Sequence, residues 1–111
     1  MQTVVETPEY LTAAKRAKMT DEEREWVVTH VAENPRAGVV IEGSGGARKL
    51  RVPGKGKGKS GGYRVVTFYA NRNVPVFLIT VISKGKQSNL TEEQKQSVKE
   101  TVKAENRERR A

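Results

Sequence analysis

The chain has 111 residues, 21 Lys+Arg against 13 Asp+Glu, a formal net charge of +8 and no cysteine, so one small domain spanning residues 1–111 is expected. Without thiols there is no disulfide framework, Cys-based zinc site or cysteine nucleophile, and the single histidine, His30, excludes a His-cluster metal site or a two-histidine ribonuclease centre. No apolar run approaches the ~20 residues needed to cross a bilayer. The first residues lack the basic and apolar regions of a signal peptide, so a soluble cytoplasmic protein with no membrane partner is expected.

Along the chain, Thr3 to Glu6 with its paired valines reads as a short edge strand. Thr7-Pro8 is an N-cap followed by proline at the first helical position. Tyr10, Leu11, Ala14 and Ala17 then recur at helical spacing, which predicts a helix from Pro8 to about Lys18. Thr20-Asp21-Glu22-Glu23 is a capping box, in which the threonine hydroxyl takes the Glu23 amide while Glu23 reaches back. Val27, Val28, Val31 and Ala32 form the apolar stripe of that second helix, with Trp26 beside it, and Asn34-Pro35 ends it.

Nine of the ten glycines fall between Gly38 and Gly62. Within that span Arg48-Lys49-Leu50-Arg51-Val52 alternates, predicting a half-buried strand with Leu50 and Val52 on one face and Lys49 and Arg51 on the other. Gly54 to Gly62 cannot pack a core and reads as a loop. Tyr63 to Ala70 and Val74 to Ile82 are rich in β-branched and aromatic residues and predict a hairpin around Asn71-Arg72-Asn73. A second capping box, Thr91-Glu92-Glu93-Gln94, opens a helix to about Arg107, with Val98 and Val102 as its thin apolar content and a loose seat at a sheet edge. The order β-α-α-β-β-β-α predicts an α+β fold: a mainly antiparallel sheet with helices packed on one face and basic residues on the other.

The charge is unevenly spread. Residues 1–42 carry eight acidic and five basic residues, residues 92–111 five and six, and the 49 residues between them ten basic and no acidic ones. A stretch with no carboxylate cannot neutralise itself locally and attracts polyanions, so nucleic acid or an acidic protein is the expected partner. Gly58-Lys59-Ser60 is not a P-loop, because the glycine required five residues earlier is Pro53 and the loop runs into a strand. Gly43-Ser44-Gly45-Gly46 fails as a dinucleotide fingerprint, since Arg48 stands where its third glycine belongs. The alternation of lysine and glycine at Lys55, Lys57 and Lys59 suits phosphate contacts, because glycine lets the backbone approach and each lysine reaches a different oxygen. Tyr63, Phe68 and Tyr69 offer base-stacking surfaces or core packing.

A cationic site without a usable histidine or carboxylate can still cut RNA, which supplies its own nucleophile in the 2′-hydroxyl. The protein must take that proton, hold the phosphate in line and neutralise the pentacovalent charge. A lysine, ordinarily with a pKa of ~10.4, becomes a better base among neighbouring cations. Arginine stays charged and suits the transition-state oxygens. His30 lies far from the basic stretch and reads as a structural or surface residue.

The residues Gly43 to Val52, Lys55 to Val65 and Ser83 to Thr91, with the order of elements, resemble the RelE/HigB-type toxins of bacterial type II toxin–antitoxin systems, and most nearly the HigB-like branch. The likeness runs from about Tyr10 to Val102, and the long Lys/Gly loop is typical of the HigB-like members. The resemblance implies a ribosome-dependent endoribonuclease, or mRNA interferase, that needs no cofactor and cuts translated mRNA. Its partners would be the 70S ribosome, mRNA and a cognate HigA-like helix-turn-helix antitoxin. Carried over by position, Lys49 and Arg51 look like the family's paired basic residues, Arg64 like its phosphate-stabilising arginine, and Lys84 like the basic residue after the last strand. Asn89-Leu90 stands where many RelE relatives carry a tyrosine. The catalytic expectation is thus Lys49, Arg51, Arg64 and Lys84, with Arg48, Lys55, Lys57, Lys59, Tyr63, Phe68 and Lys86 binding RNA or ribosome and no metal bound. A non-catalytic RNA- or ribosome-binding module and a ParE-like gyrase inhibitor are the rival expectations.

Overall fold

Three short-range devices set the helices of the computed structural model, which describes residues 1–53, 62–83 and 91–110. After the first strand, β1 (Val4–Glu6), the Thr7 hydroxyl accepts the Tyr10 amide at 3.1 Å and opens α1 (Pro8–Arg16). That helix ends in a Schellman turn. The Met19 amide donates to Ala14 and the Lys18 amide to Lys15, with Lys18 itself in the left-handed region at φ 63°. The capping box at Thr20 forms as expected: the Thr20 hydroxyl accepts the Glu23 amide and a Glu23 carboxylate oxygen accepts the Thr20 amide at 2.8 Å. It opens α2 (Asp21–Glu33), which Asn34 closes. The Thr91–Gln94 box closes reciprocally in the same way and opens α3 (Glu92–Arg110).

The sheet has five strands, one more than the sequence pattern suggests. The extra one, β2 (Val39–Val40), is only two residues long and exposed, so it carries no alternation to read. It pairs with β3 (Arg48–Val52), which pairs with β4 (Tyr63–Phe68), which pairs with β5 (Val76–Ser83), all antiparallel. Strand β1 adds to β5 in parallel, giving the order β1-β5-β4-β3-β2. Strand β5 slips register opposite the Val66/Thr67 step, a β-bulge that leaves Ile79 without a cross-strand partner.

Two cores result, one on each sheet face. Leu50, Val52, Tyr63, Val65, Val76 and Leu78 pack against Tyr10 and Ala14 of α1 and Val27 and Val31 of α2. Val66, Phe68, Phe77 and Ile79 pack on the opposite face with Val98 and Val102 of α3. The α+β architecture and mainly antiparallel sheet agree with the sequence reading, but placing the helices on one face is corrected. Only α1 and α2 share a face. Helix α3 does not sit loosely at an edge either; its two valines, each 2% exposed, seal the far side of the sheet. Two apolar residues suffice because the strands themselves supply the rest of that core.

Candidate functional site

Strand alternation builds the site. With Leu50 and Val52 buried toward α1 and α2, Lys49 and Arg51 must emerge on the other face. In β4 the same logic sends Tyr63 and Val65 inward to that core and Arg64 outward. The pairing register then sets Arg51 directly across from Arg64, with Ile82 of β5 on Arg64's far side. Lys49, two residues along β3 on the same face, pairs with Val66. Helix α3 covers the Val66–Phe68 end of this face, so the cations lie on the part its valines leave open.

Two arginines in direct cross-strand register are unfavourable, since their Cβ atoms stand about 4.5–5.5 Å apart and like charges there repel. Neither guanidinium forms an ion pair with a carboxylate among the described residues. Arg51 is exposed, while Arg64 is half-buried and its Nε is buried with no hydrogen-bond acceptor. A buried donor without an acceptor costs on the order of 1–3 kcal/mol. An anion seated between the two guanidiniums would satisfy the donor and relieve the repulsion together. The arrangement is thus chemically able to receive negative charge, and arginine's planar fork suits a phosphate.

Of the other anticipated site residues, several lie elsewhere. Arg48 shares the face of Leu50 and Val52, opposite Lys49 and Arg51, and its Nη1 donates to the Gly38 carbonyl at 3.2 Å. Tyr63 cannot stack on a base: it is 2% exposed in the α1/α2 core. Its hydroxyl donates to Glu23 at 3.1 Å, tying β4 to the start of α2. Burial, the hydrogen bond to Glu23 and the Glu23 charge all push the Tyr63 phenol above its ordinary pKa. Phe68 is likewise core, packed under α3 and against the Gly46 turn. Both are buried because β4 is a central strand covered by helices on both sides. Lys55, Lys57, Lys59, Lys84 and Lys86 fall outside the described residues. His30 stacks on Trp26 on α2, ring centroids 4.7 Å apart, away from the cationic face.

A cavity of about 410 Å³ opens on the other flank of α3, lined by Glu9, Thr12 and Arg16 of α1, Thr80 of β5, and Gln94 and Ser97 of α3. None of Lys49, Arg51 or Arg64 lines it. The cation site is an open sheet face instead. Among the described residues no cluster of acidic, His or Cys side chains is arranged to hold a metal ion, and no helix is long and apolar enough to cross a membrane.

Comparison with protein-family models matches residues 3–109 to the family of the RelE toxin of the RelE/RelB toxin–antitoxin system. The chain belongs to the RelE toxin family. It is thus a toxin of the type II toxin–antitoxin class, whose counterpart is an antitoxin. The match takes in all five strands, α1, α2 and all but the last residue of α3, and so includes the strands that carry Lys49, Arg51 and Arg64.

Proposed function

We propose that this RelE-family chain is an endoribonuclease of the mRNA-interferase kind, cutting mRNA during translation, and that its Lys/Gly loop places it in the HigB-like branch. The observation that carries the reading is the Arg51–Arg64 pair: two guanidiniums in register on a carboxylate-free strand pair, one with a buried unsatisfied donor. In this reading the scissile phosphate sits between them. Lys49 is assigned the 2′-hydroxyl proton, a role closed to arginine near neutral pH. The 2′-oxygen attacks phosphorus, the P–O5′ bond breaks, and the departing 5′-oxygen takes a proton from solvent, generating a 2′,3′-cyclic phosphate. Arg51 and Arg64 hold the equatorial oxygens through the pentacovalent stage, and Lys84, carried over from the family resemblance, is proposed to assist them.

The ribosome presents the message, so cleavage of naked RNA is weak, and a cognate helix-turn-helix antitoxin masks the cationic face. Primer extension on mRNA after induction tests the reading. Cleavage is expected from the native chain, and Arg64→Ala should lower it by roughly 10²–10³-fold while ribosome co-sedimentation persists. Undiminished cleavage removes Arg64 from the site. Intact mRNA with retained ribosome binding favours a binding module, and a DNA-damage response without cleavage favours gyrase inhibition.

A further inference from the structure

Helix α3 has two flanks beside its buried Val98/Val102 row. Gln94 and Ser97 face the cavity shared with α1 and Thr80. Lys95, Lys99 and Lys103 follow at i, i+4 spacing on the other flank, with Cβ atoms about 5–6 Å apart along the row. That flank is turned toward β3. The Lys99 stem passes 3.8 Å from where a Cβ on Gly45 would stand, in the turn that leads into β3, and Val102 lies beside it. The helix lysines therefore stand on the β3 side of α3, the helix that covers the Val66–Phe68 end of the sheet face carrying Lys49, Arg51 and Arg64.

Their pairing differs. Lys95 is 3.7 Å from the exposed Glu92 carboxylate. Lys99 and Lys103, with no ion-pair partner among the described residues, set two positive charges at i, i+4 spacing as a wall, and the adjoining sheet supplies the floor.

We propose that the Lys99/Lys103 flank of α3 is a second phosphate-binding wall, holding the RNA backbone outside the reacting phosphate. This rests on the reading that the Arg51/Arg64 face binds RNA. The ligand chemistry is a run of RNA phosphates, supplied either by the message or by ribosomal RNA. The lysines act as point charges on long stems, so they position the strand without reading its sequence.

The test uses the full chain with Lys99→Gln and Lys103→Gln together, which keeps the side-chain stems and removes both charges. Binding is measured against salt in two arms, a short single-stranded RNA and purified ribosomes, with helix content checked by circular dichroism. Each lost phosphate contact lowers the slope of log K against log salt by about 0.7 for a single strand, so a fall of about 1.4 is expected in one arm. A fall with the free strand assigns the wall to the message; a fall only with ribosomes assigns it to ribosomal RNA. The control Lys15→Gln with Arg72→Gln removes two exposed charges elsewhere and should leave both slopes unchanged. Unchanged slopes for the α3 variant in both arms, or an equal fall in the control, overturn the proposal. The slopes do not depend on cleavage, so a chain that binds through α3 but leaves mRNA intact would sink the nuclease reading alone.

Discussion

Arg64→Met should make the protein more stable and less active. The substitution keeps an unbranched apolar stem in β4 but removes a charge placed directly opposite Arg51. Relief of like-charge repulsion between facing strand residues is worth about 0.2–1 kcal/mol. Removing the buried Nε that lacks an acceptor recovers part of an unsatisfied-donor cost of about 1–3 kcal/mol. Because Arg64 is only half-buried, the lower part of that range applies, and the net gain should be about 1–2 kcal/mol. For a domain of this size that raises Tm by roughly 4–8 °C. Urea unfolding followed by circular dichroism gives the free energy, and primer extension gives the activity. Arg51→Gln should gain less than about 1 kcal/mol, since it removes the repulsion and leaves the orphaned donor. In the double variant the two gains should be less than additive. If Arg64→Met is destabilised instead, Arg64 is held by structural contacts and the case for a strained, ligand-seeking arginine pair fails.

Four further outcomes follow from the buried polar groups and the backbone. Tyr63→Phe deletes the hydrogen bond to Glu23 and should cost about 1.5–3 kcal/mol in urea unfolding, the range for bonds to charged groups, with cleavage retained once the protein is folded. Tyr10→Phe should be neutral or slightly stabilising in the same assay, because the Tyr10 hydroxyl is buried without a partner. Stability should be fully present below pH ~10 and fall as the pH rises further. The reason is that Tyr10 and Tyr63 are both raised above the ordinary phenol value, Tyr10 by burial and then by the Glu6 charge, against the opposing pull of Arg24. Unfolded chains lose these protons first, so a urea midpoint that held level from pH 9 to 11 would contradict the assignment. Lys18→Gly should stabilise by about 0.5–1 kcal/mol, since a left-handed conformation costs a lysine ~1–2 kcal/mol and glycine's extra chain entropy offsets part of it. A lower thermal midpoint for that variant would mean the Lys18 stem makes contacts that outweigh the strain.

How much of the site was legible depended on how local each signal is. Thr7, Thr20 and Thr91 announce their helices because a cap is made within four residues. The opposite facing of Lys49/Arg51 and Leu50/Val52 follows from the period of one strand. Lys49, Arg51 and Arg64 could therefore be gathered from the pattern alone, and they do share a face. Tyr63 and Phe68 were misread because exposed and buried aromatics look alike in a β-rich segment, and whether a strand is central or at an edge is not written in its own residues. Arg48, expected among the RNA-binding residues, stands on the face opposite Lys49, because adjacent strand residues alternate. Lys99 and Lys103 carry a legible i, i+4 spacing. Their link to the strand cations appears only once α3 is seen lying on that side of the sheet.

By itself the sequence determined the element types other than β2, the caps, the carboxylate-free charge block and the two-faced character of β3, all of which depend on residues a few positions apart. Tertiary structure alone decided that Arg51 faces Arg64, that α3 roofs the side opposite α1 and α2, and that Tyr63 is an anchor to Glu23. Those outcomes depend on strand register and on which surface each helix covers, and both are settled by burying apolar area between segments far apart in the chain.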